Sequence, residues 1–336
     1  LRAAAQEPAP NPGNRADVIA RRTALAAAAS LFAIPQTVVA ADAPVIRVGA
    51  GLDVESTPVL YAKQAGLFAR AGLNVEVQKI NGGGTAIAAA VAGGALEIGK
   101  ASTFALVVAH AKGVPFVLLA PAAYYSSSEP DIPLIVAAGS TIRSARDLDG
   151  KTIGVVSLNT TMRLADQAWI DQAGGDSRTV HFVELSPPAV PSAIEAGRID
   201  GATLSEPVLS SAMGTGKFRV LGYSYNAIGK HFDLADWFSS ADWVAKNREA
   251  ATKFARVMIA ANAYVGSHEA EVMPLVASYV GIDPVVLAKM KNPERGQYYE
   301  PALIQPLIDL AAKYGAIPKP FPAAELISDA SPRPPR

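Results

Sequence analysis

From residue 45 onward the hydrophobic pattern switches between two periods. Short apolar or alternating runs predict strands: VIRVGAG (45–51), LNVEVQKI (73–80), ALEIGKAS (95–102) and PFVLLAPAA (115–123). Between them, PVLYAKQAGLFARAG (58–72), TAIAAAVAGG (85–94) and ALVVAHAKG (105–113) repeat apolar residues at helical spacing and end at glycine. The order restarts near residue 133. PLIVAAG, KTIGVVS, VHFVEL, IDGATLS and FRVLGYS read as strands, and TMRLADQAWIDQAGG and PSAIEAG as helices. This βαβα grammar predicts parallel, doubly wound sheets. From about Ala241 the strands fade, and NREAATKFARVMIAANAYV, EVMPLVASYVG, DPVVLAKMK and EPALIQPLIDLAAKYGA predict helices.

The two halves echo each other. Gly94-Ala95-Leu96-Glu97 leads to Ser102, and Gly197-Arg198-Ile199-Asp200 leads to Ser205, eight positions after the glycine each time. Ile46-Arg47-Val48-Gly49 is echoed by Thr152-Ile153-Gly154-Val155. The expected architecture is therefore α/β, with two doubly wound lobes joined by two crossings and a helical C-terminal portion packed on lobe one. Lobe one takes residues 42–123 and 226–328, lobe two takes 124–225, and 329–336 form a frayed, disordered tail. The crossings are expected within Ala123–Pro130 and Tyr225–Leu234, where turn and aromatic residues cluster.

Composition narrows the function classes. Of 336 residues half are hydrophobic, and Lys plus Arg equals Asp plus Glu at 30 each, so no basic excess points to nucleic acid. With no cysteine, thiolate catalysis, iron–sulfur clusters, disulfides and a lipid-modified cysteine anchor all fall away. At the start, Arg21-Arg22 precede the apolar run TALAAAASLFAI, ended by Pro35, with small residues before Ala41. This is the order of a signal peptide over 1–41, and the run is shorter than the roughly 20 residues of a membrane span. The arginine pair also fits the twin-arginine route, although Ala20 and Ala24 depart from it, so Sec and twin-arginine export both stay open. A periplasmic, untethered protein is expected.

Catalytic motifs fail one by one. Gly94-Ala95-Leu96-Glu97-Ile98-Gly99-Lys100-Ala101 lacks the P-loop hydroxyl and leaves a helix rather than a strand. Gly82-Gly83-Gly84 lacks the third glycine of a dinucleotide fingerprint, there is no nucleophile elbow, and the four histidines are scattered without metal spacing. No catalytic residue, metal or cofactor is expected. What remains is a set of loops at the carboxyl ends of strands, where open α/β sheets bind ligands. They carry Asp53, Ser56 and Thr57; Gly83, Gly84 and Thr85; Ser102 and Thr103; and Asn159, Thr160 and Thr161. Two of these loops open helices, whose free amides and dipole favour an anionic or electron-rich group. Plain helix capping is the bland alternative. Glu206, at a strand end, suits either a ligand donor or a first-turn cap. Tyr124 stands at a crossing, where an aromatic ring can floor a cleft.

At these residues the chain resembles the periplasmic binding proteins for sulfonates, nitrate, taurine and thiamine-precursor pyrimidines that serve ABC importers. The resemblance is carried by AKQAGLFARAGLNVEV, NGGGTAIAAAVAGGALEIGKAS, ARDLDGKTIGV, AIEAGRIDGATLSEP and WVAKNREAATKFARVMIAANAYV, in that order. It implies two lobes that close on a small molecule, a permease and an ATPase on other chains, and no partnership with nucleic acid. It also implies that Gly83, Gly84 and Thr85 face Asn159, Thr160, Thr161 and Glu206 across the cleft. The expected function is an exported, monomeric substrate-binding subunit taking a sulfonate, carboxylate or amino-heterocycle. The alternative is an enzyme on the same fold, dehydratase-like or in pyrimidine-precursor chemistry. Leu204-Ser205 stands before Glu206 where the family often has an aromatic, so no family ligand carries over.

Overall fold

A computed structural model describes residues 43–206, 208–283, 287, 290 and 292–334. The expected signal peptide lies outside the described residues, as does most of the helix expected over DPVVLAKMK. Strands β1 (Val45–Ala50), β2 (Asn74–Lys79), β3 (Ile98–Ser102) and β4 (Phe116–Ser126) build one sheet. Strands β5 (Leu134–Ala137), β6 (Thr152–Val155), β7 (His181–Glu184), β8 (Gly201–Thr203) and β9 (Phe218–Gly222) build a second, and β10 (His231–Ser240) returns to the first. The helices are α1 (Thr57–Gln64), α2 (Leu67–Arg70), α3 (Gly83–Ala92), α4 (Thr103–Ala111), α5 (Thr161–Gln172) and α6 (Val190–Glu195), then α7 (Val208–Gly214), α8 (Ala241–Lys246), α9 (Arg248–Ser267), α10 (Glu269–Val280) and α11 (Pro301–Lys313).

The strand orders are β2-β1-β3-β10-β4 and β7-β6-β8-β5-β9. Neither sheet is wholly parallel, which corrects the expectation from the βαβα order. β10 runs antiparallel to β3 and β4, and β5 runs antiparallel to β8 and β9. The reason is topological. β5 and β10 each arrive from the other sheet without a crossover helix, and only such a helix would turn the chain back into parallel alignment. The first crossing leaves β4 at Ser126 and the second enters β10 at His231, so the sheet of lobe one continues past Ala123 and its return starts before Leu234. Trp237, Phe232 and Phe238 on β10 have no exposure to solvent, because β10 is flanked by strands on both edges and covered by helices on its faces.

The sequence echo has a shared structural cause. Glu97 takes the backbone N–H of Arg47 at 2.6 Å, and Asp200 takes that of Thr152 at 2.9 Å. Each acid satisfies a donor near the start of the strand second from one edge of its sheet, β1 or β6. These two strands carry glycines at Gly49 and Gly154, where an added Cβ would stand 2.5 Å from Leu96 Cδ1 and 2.9 Å from Ile199 Cδ1. Leu96 and Ile199 occupy equivalent places in the echo, so the same helix-to-strand turn packs on the same gap in both lobes.

The C-terminal helices pack on lobe one: α9 lies against β4, and α11 lies against α4 and β10. The segment 329–334 does not fray as expected. Ala330 is buried and Asp329 pairs with Arg248 of α9, which ties the segment to the first lobe.

Candidate functional site

The carboxyl ends of both parallel strand sets meet at a cleft between the lobes. Two adjoining cavities of about 100 and 210 Å³ occupy it and share Glu55, Ile132, Ser205 and Leu234. The two serines of the echo converge there. Ser102 ends β3 and lines the cavity of about 210 Å³, while Ser205 follows β8 and lines both. Ser102 also caps α4, accepting from Ala105 N at 3.3 Å.

Lobe two contributes the start of α5. Thr160 has extended backbone and its hydroxyl caps the helix, while also donating to Ser157 O at 2.9 Å. Thr161 lines the same cavity, and its buried Oγ1 has no hydrogen-bond partner. A free hydroxyl beside uncapped amides of a helix start presents donors to an electron-rich group. Below it, Asp166 of α5 is buried among neutral partners, with Thr203 Oγ1 of β8 at 2.8 Å. Burial raises its carboxyl to about 7, against the lowering effect of Ser224 and Thr203 hydroxyls.

Lobe one contributes carboxylates, and most of their capacity is taken. Lys100, buried on β3, donates to Asp53 Oδ2 at 3.0 Å and to Glu55 Oε2 at 2.6 Å. Burial opposes the ammonium charge, but the attraction of these two carboxylates and their hydrogen bonds outweighs it and raises the Lys100 pKa. Asp53 also caps the turn that follows β1, accepting from Ser56 N at 3.0 Å and Ser56 Oγ at 2.9 Å. Glu206 lines the smaller cavity, yet both its oxygens hold Ser210, N at 3.1 Å and Oγ at 2.7 Å. Its carboxylate caps α7 while its side chain borders the cleft.

Of the residues singled out from sequence, Asp53, Ser102, Thr160, Thr161 and Glu206 line the cleft cavities. Eight others do not. Ser56 and Thr57 are buried and turned inward, to Gly51 O at 3.0 Å and Val54 O at 2.5 Å. Thr103 is buried against Asp236 at 2.9 Å and Asp233 at 3.3 Å. Gly83 and Thr85 are exposed at the start of α3, and Gly84 is pressed against β3, where a Cβ would lie 3.1 Å from Ala101. Asn159 is exposed beside the cavity. Tyr124 donates to Tyr298 O at 2.6 Å and lines an open chamber of about 870 Å³, which borders the smaller cleft cavity at Asp131, Met290 and Pro293.

The apolar cleft wall escaped sequence reading. Leu52, Ile132, Val156, Met162, Tyr225 and Leu234 line it. Ile132 lies at the end of the first crossing and Leu234 near the start of β10, where the apolar pattern does not distinguish a cleft residue from a core residue. Leu52 and Val156 carried a signal, a large apolar residue just past β1 and β6, and in the fold they are exposed at 42% and 37%.

A model of the NMT1/THI5 like family matches residues 53–271. The taurine-binding periplasmic protein of Escherichia coli (strain K12) is 29% identical over 225 residues, which cover 66% of this chain and 67% of that one. The fold is similar to the periplasmic aliphatic sulphonate binding protein SsuA from Escherichia coli, with a TM-score of 0.72 and 19% identity over 87% of this chain and 94% of that one. It is also similar to the periplasmic nitrate-binding protein NrtA from Synechocystis PCC 6803, with a TM-score of 0.67 and 14% identity over 82% and 83% of the two chains. At these identities the solved structures speak for the fold alone.

Proposed function

The chain belongs to the NMT1/THI5 like family, and on that premise we propose that it is the exported solute-binding subunit of an ABC importer. The observation that carries the reading is the convergence of Ser102, Ser205, Thr160 and Thr161 from both lobes on one cleft. A solute bound there touches both sheets, so binding favours the closed arrangement of the lobes about crossings 127–133 and 223–230. The partners are a permease and an ATPase on other chains, and the site of action is the periplasm.

The lining describes the solute. The start of α5 and the free Thr161 hydroxyl favour a sulfonate, carboxylate or similar electron-rich group. Leu52, Ile132, Val156 and Leu234 favour an apolar body. Capture rather than turnover fits Asp53, Glu55 and Glu206, because Lys100 holds the first two and Ser210 occupies the third. A general acid or base needs an oxygen within reach of the substrate and free to exchange a proton.

A thermal-shift panel of taurine, alkanesulfonates, nitrate, carboxylates and pyrimidines tests the reading. A ligand at 100 times its Kd stabilises the folded protein by about 2.7 kcal/mol. Ser205→Trp places an indole at the wall that both cavities share and is expected to remove that shift without unfolding the protein. A panel without any shift, or a shift equal in wild type and Ser205→Trp, refutes capture in the cleft. Chromatographic turnover of any solute that binds would instead establish an enzyme.

A further inference from the structure

One helix of lobe two is built into both lobes. Helix α5 starts at the cleft, where Thr160 and Thr161 line a cavity, and at 1.5 Å per residue it ends about 18 Å away at Gln172. Towards its own lobe, Ile170 packs with Leu134, Val136 and Ile153 of the second sheet. Met162, Leu164 and Ala165 instead join the apolar cluster that runs from lobe one through Ile132, Tyr225 and Ile228 of the crossings.

The far end of α5 carries two polar ties that leave lobe two. Gln172 Nε2 donates to Ala227 O in the second crossing at 2.9 Å. Tyr314, at the end of α11 on lobe one, donates its hydroxyl to Asp171 Oδ2 at 2.8 Å. The other oxygen of Asp171 takes the backbone N–H of Ser177 at 2.8 Å, within lobe two. Burial disfavours the Asp171 charge, but the hydrogen bonds from Ser177 and Tyr314 outweigh it and lower the carboxyl pKa, with a smaller attraction from Lys313. The acceptor is therefore ionised at neutral pH, and a charge-assisted bond is roughly twice as strong as a neutral one.

A bond between two lobes stabilises only those arrangements in which its ends meet. Here it is made while Ser102 of lobe one and Thr160 and Thr161 of lobe two line one cavity. A helix of three turns moves as a rod, so turning its start away from Ser102 also displaces Asp171 against Tyr314. We propose that Tyr314 is a positioning residue for solute capture: its hydrogen bond to Asp171 holds the lobes in the arrangement that presents the start of α5 opposite Ser102. The effect on affinity rests on the reading that the cleft captures a solute; the effect on the lobes does not.

Interlobe distance in the full chain tests this without any solute. The chain has no cysteine, so two introduced cysteines take spin labels cleanly. Asn81→Cys and Ser186→Cys place them at exposed positions just past β2 and β7, one on each lobe. Double electron–electron resonance then reads the distance between them. Tyr314→Phe keeps the ring and removes the donor. It is expected to shift the equilibrium between lobe arrangements about fivefold, seen as a second, altered distance. Asp171→Asn should move the distribution the same way, and the double variant no further than the larger single effect, because the two groups act as one pair. Calorimetry with taurine and ethanesulfonate reads the consequence: affinity of Tyr314→Phe falls, by no more than the same factor, since Tyr314 lies at the end of α5 away from the cleft. The proposal is overturned if the Tyr314→Phe distances superpose on those of the labelled wild type, if the two single shifts add, or if affinity for either probe rises. A bond that serves stability alone would lower the urea midpoint and leave the distances unchanged. If wild type binds neither probe, capture of these solutes fails while the solute-free distances still decide the role of Tyr314.

Discussion

Replacing Asp166 by asparagine should make the protein more stable at pH 8 and leave it nearly unchanged at pH 4. Asp166 is fully buried on α5, its nearest hydrogen-bond partner is the neutral Thr203 hydroxyl at 2.8 Å, and its carboxyl is raised from 3.8 to about 7. A carboxyl raised by folding binds a proton that the unfolded chain releases between these values. Its contribution is therefore fully present below pH 3.8 and is lost as the pH rises through about 7. At about 1.4 kcal/mol per pH unit, the full span is worth about 4 kcal/mol, an upper bound because buried sites relax. Asparagine keeps an oxygen for Thr203 and carries no charge to desolvate. Urea melts of wild type and Asp166→Asn from pH 4 to 8 measure the effect. The variant should gain about 2–4 kcal/mol over wild type across that range, accumulating nearly evenly from pH 4 to about pH 7. A gain that is flat with pH, or a net loss at pH 8, refutes a buried carboxyl held neutral at this position. The difference between the two proteins isolates Asp166 from Asp233 and Asp236, which are also buried and raised, by burial first and, for Asp233, by its neighbour's charge.

Lys100→Met should destabilise the protein by about 3 kcal/mol, the lower end for a broken buried pair because Asp53 keeps contact with water; urea melts give the value. Glu206→Ala removes the cap on Ser210 and should cost about 1 kcal/mol in the same measurement; a matching loss of solute affinity beyond tenfold would assign its carboxylate to the ligand as well. Gly49→Ala should cost about 1–3 kcal/mol by overpacking, since its Cβ would meet buried Leu96 at 2.5 Å and Ile87 at 3.3 Å; a neutral result would mean that the core yields there.

Much of the architecture was legible along the chain because strand and helix periods differ. The runs around Val45, Asn74, Ile98, Thr152 and Phe218 all become strands. The antiparallel placement of β5 and β10 was not legible, since hydrophobic pattern carries no direction. Part of the candidate cleft lining was legible in the loops that cap helices: Ser102, Thr160 and Glu206 announce themselves by residue type and position. The same signal overreached at Ser56, Thr57 and Thr103. A hydroxyl at a helix start can turn inward as readily as toward a cleft, and packing chooses.

The sequence by itself determined that two similar α/β halves exist, because Gly94–Ser102 and Gly197–Ser205 repeat one local solution for leaving a helix and entering a strand. It also determined which loops carry the small polar residues. Only the tertiary structure decided which of those residues share a cavity, that Lys100 neutralises Asp53 and Glu55, and that Arg295 lies near them with two idle donors. The physical reason is range. Capping and periodicity act over a few residues and leave a mark in the chain, whereas desolvation and charge pairing depend on groups some 47 and 240 positions apart, which folding alone brings together.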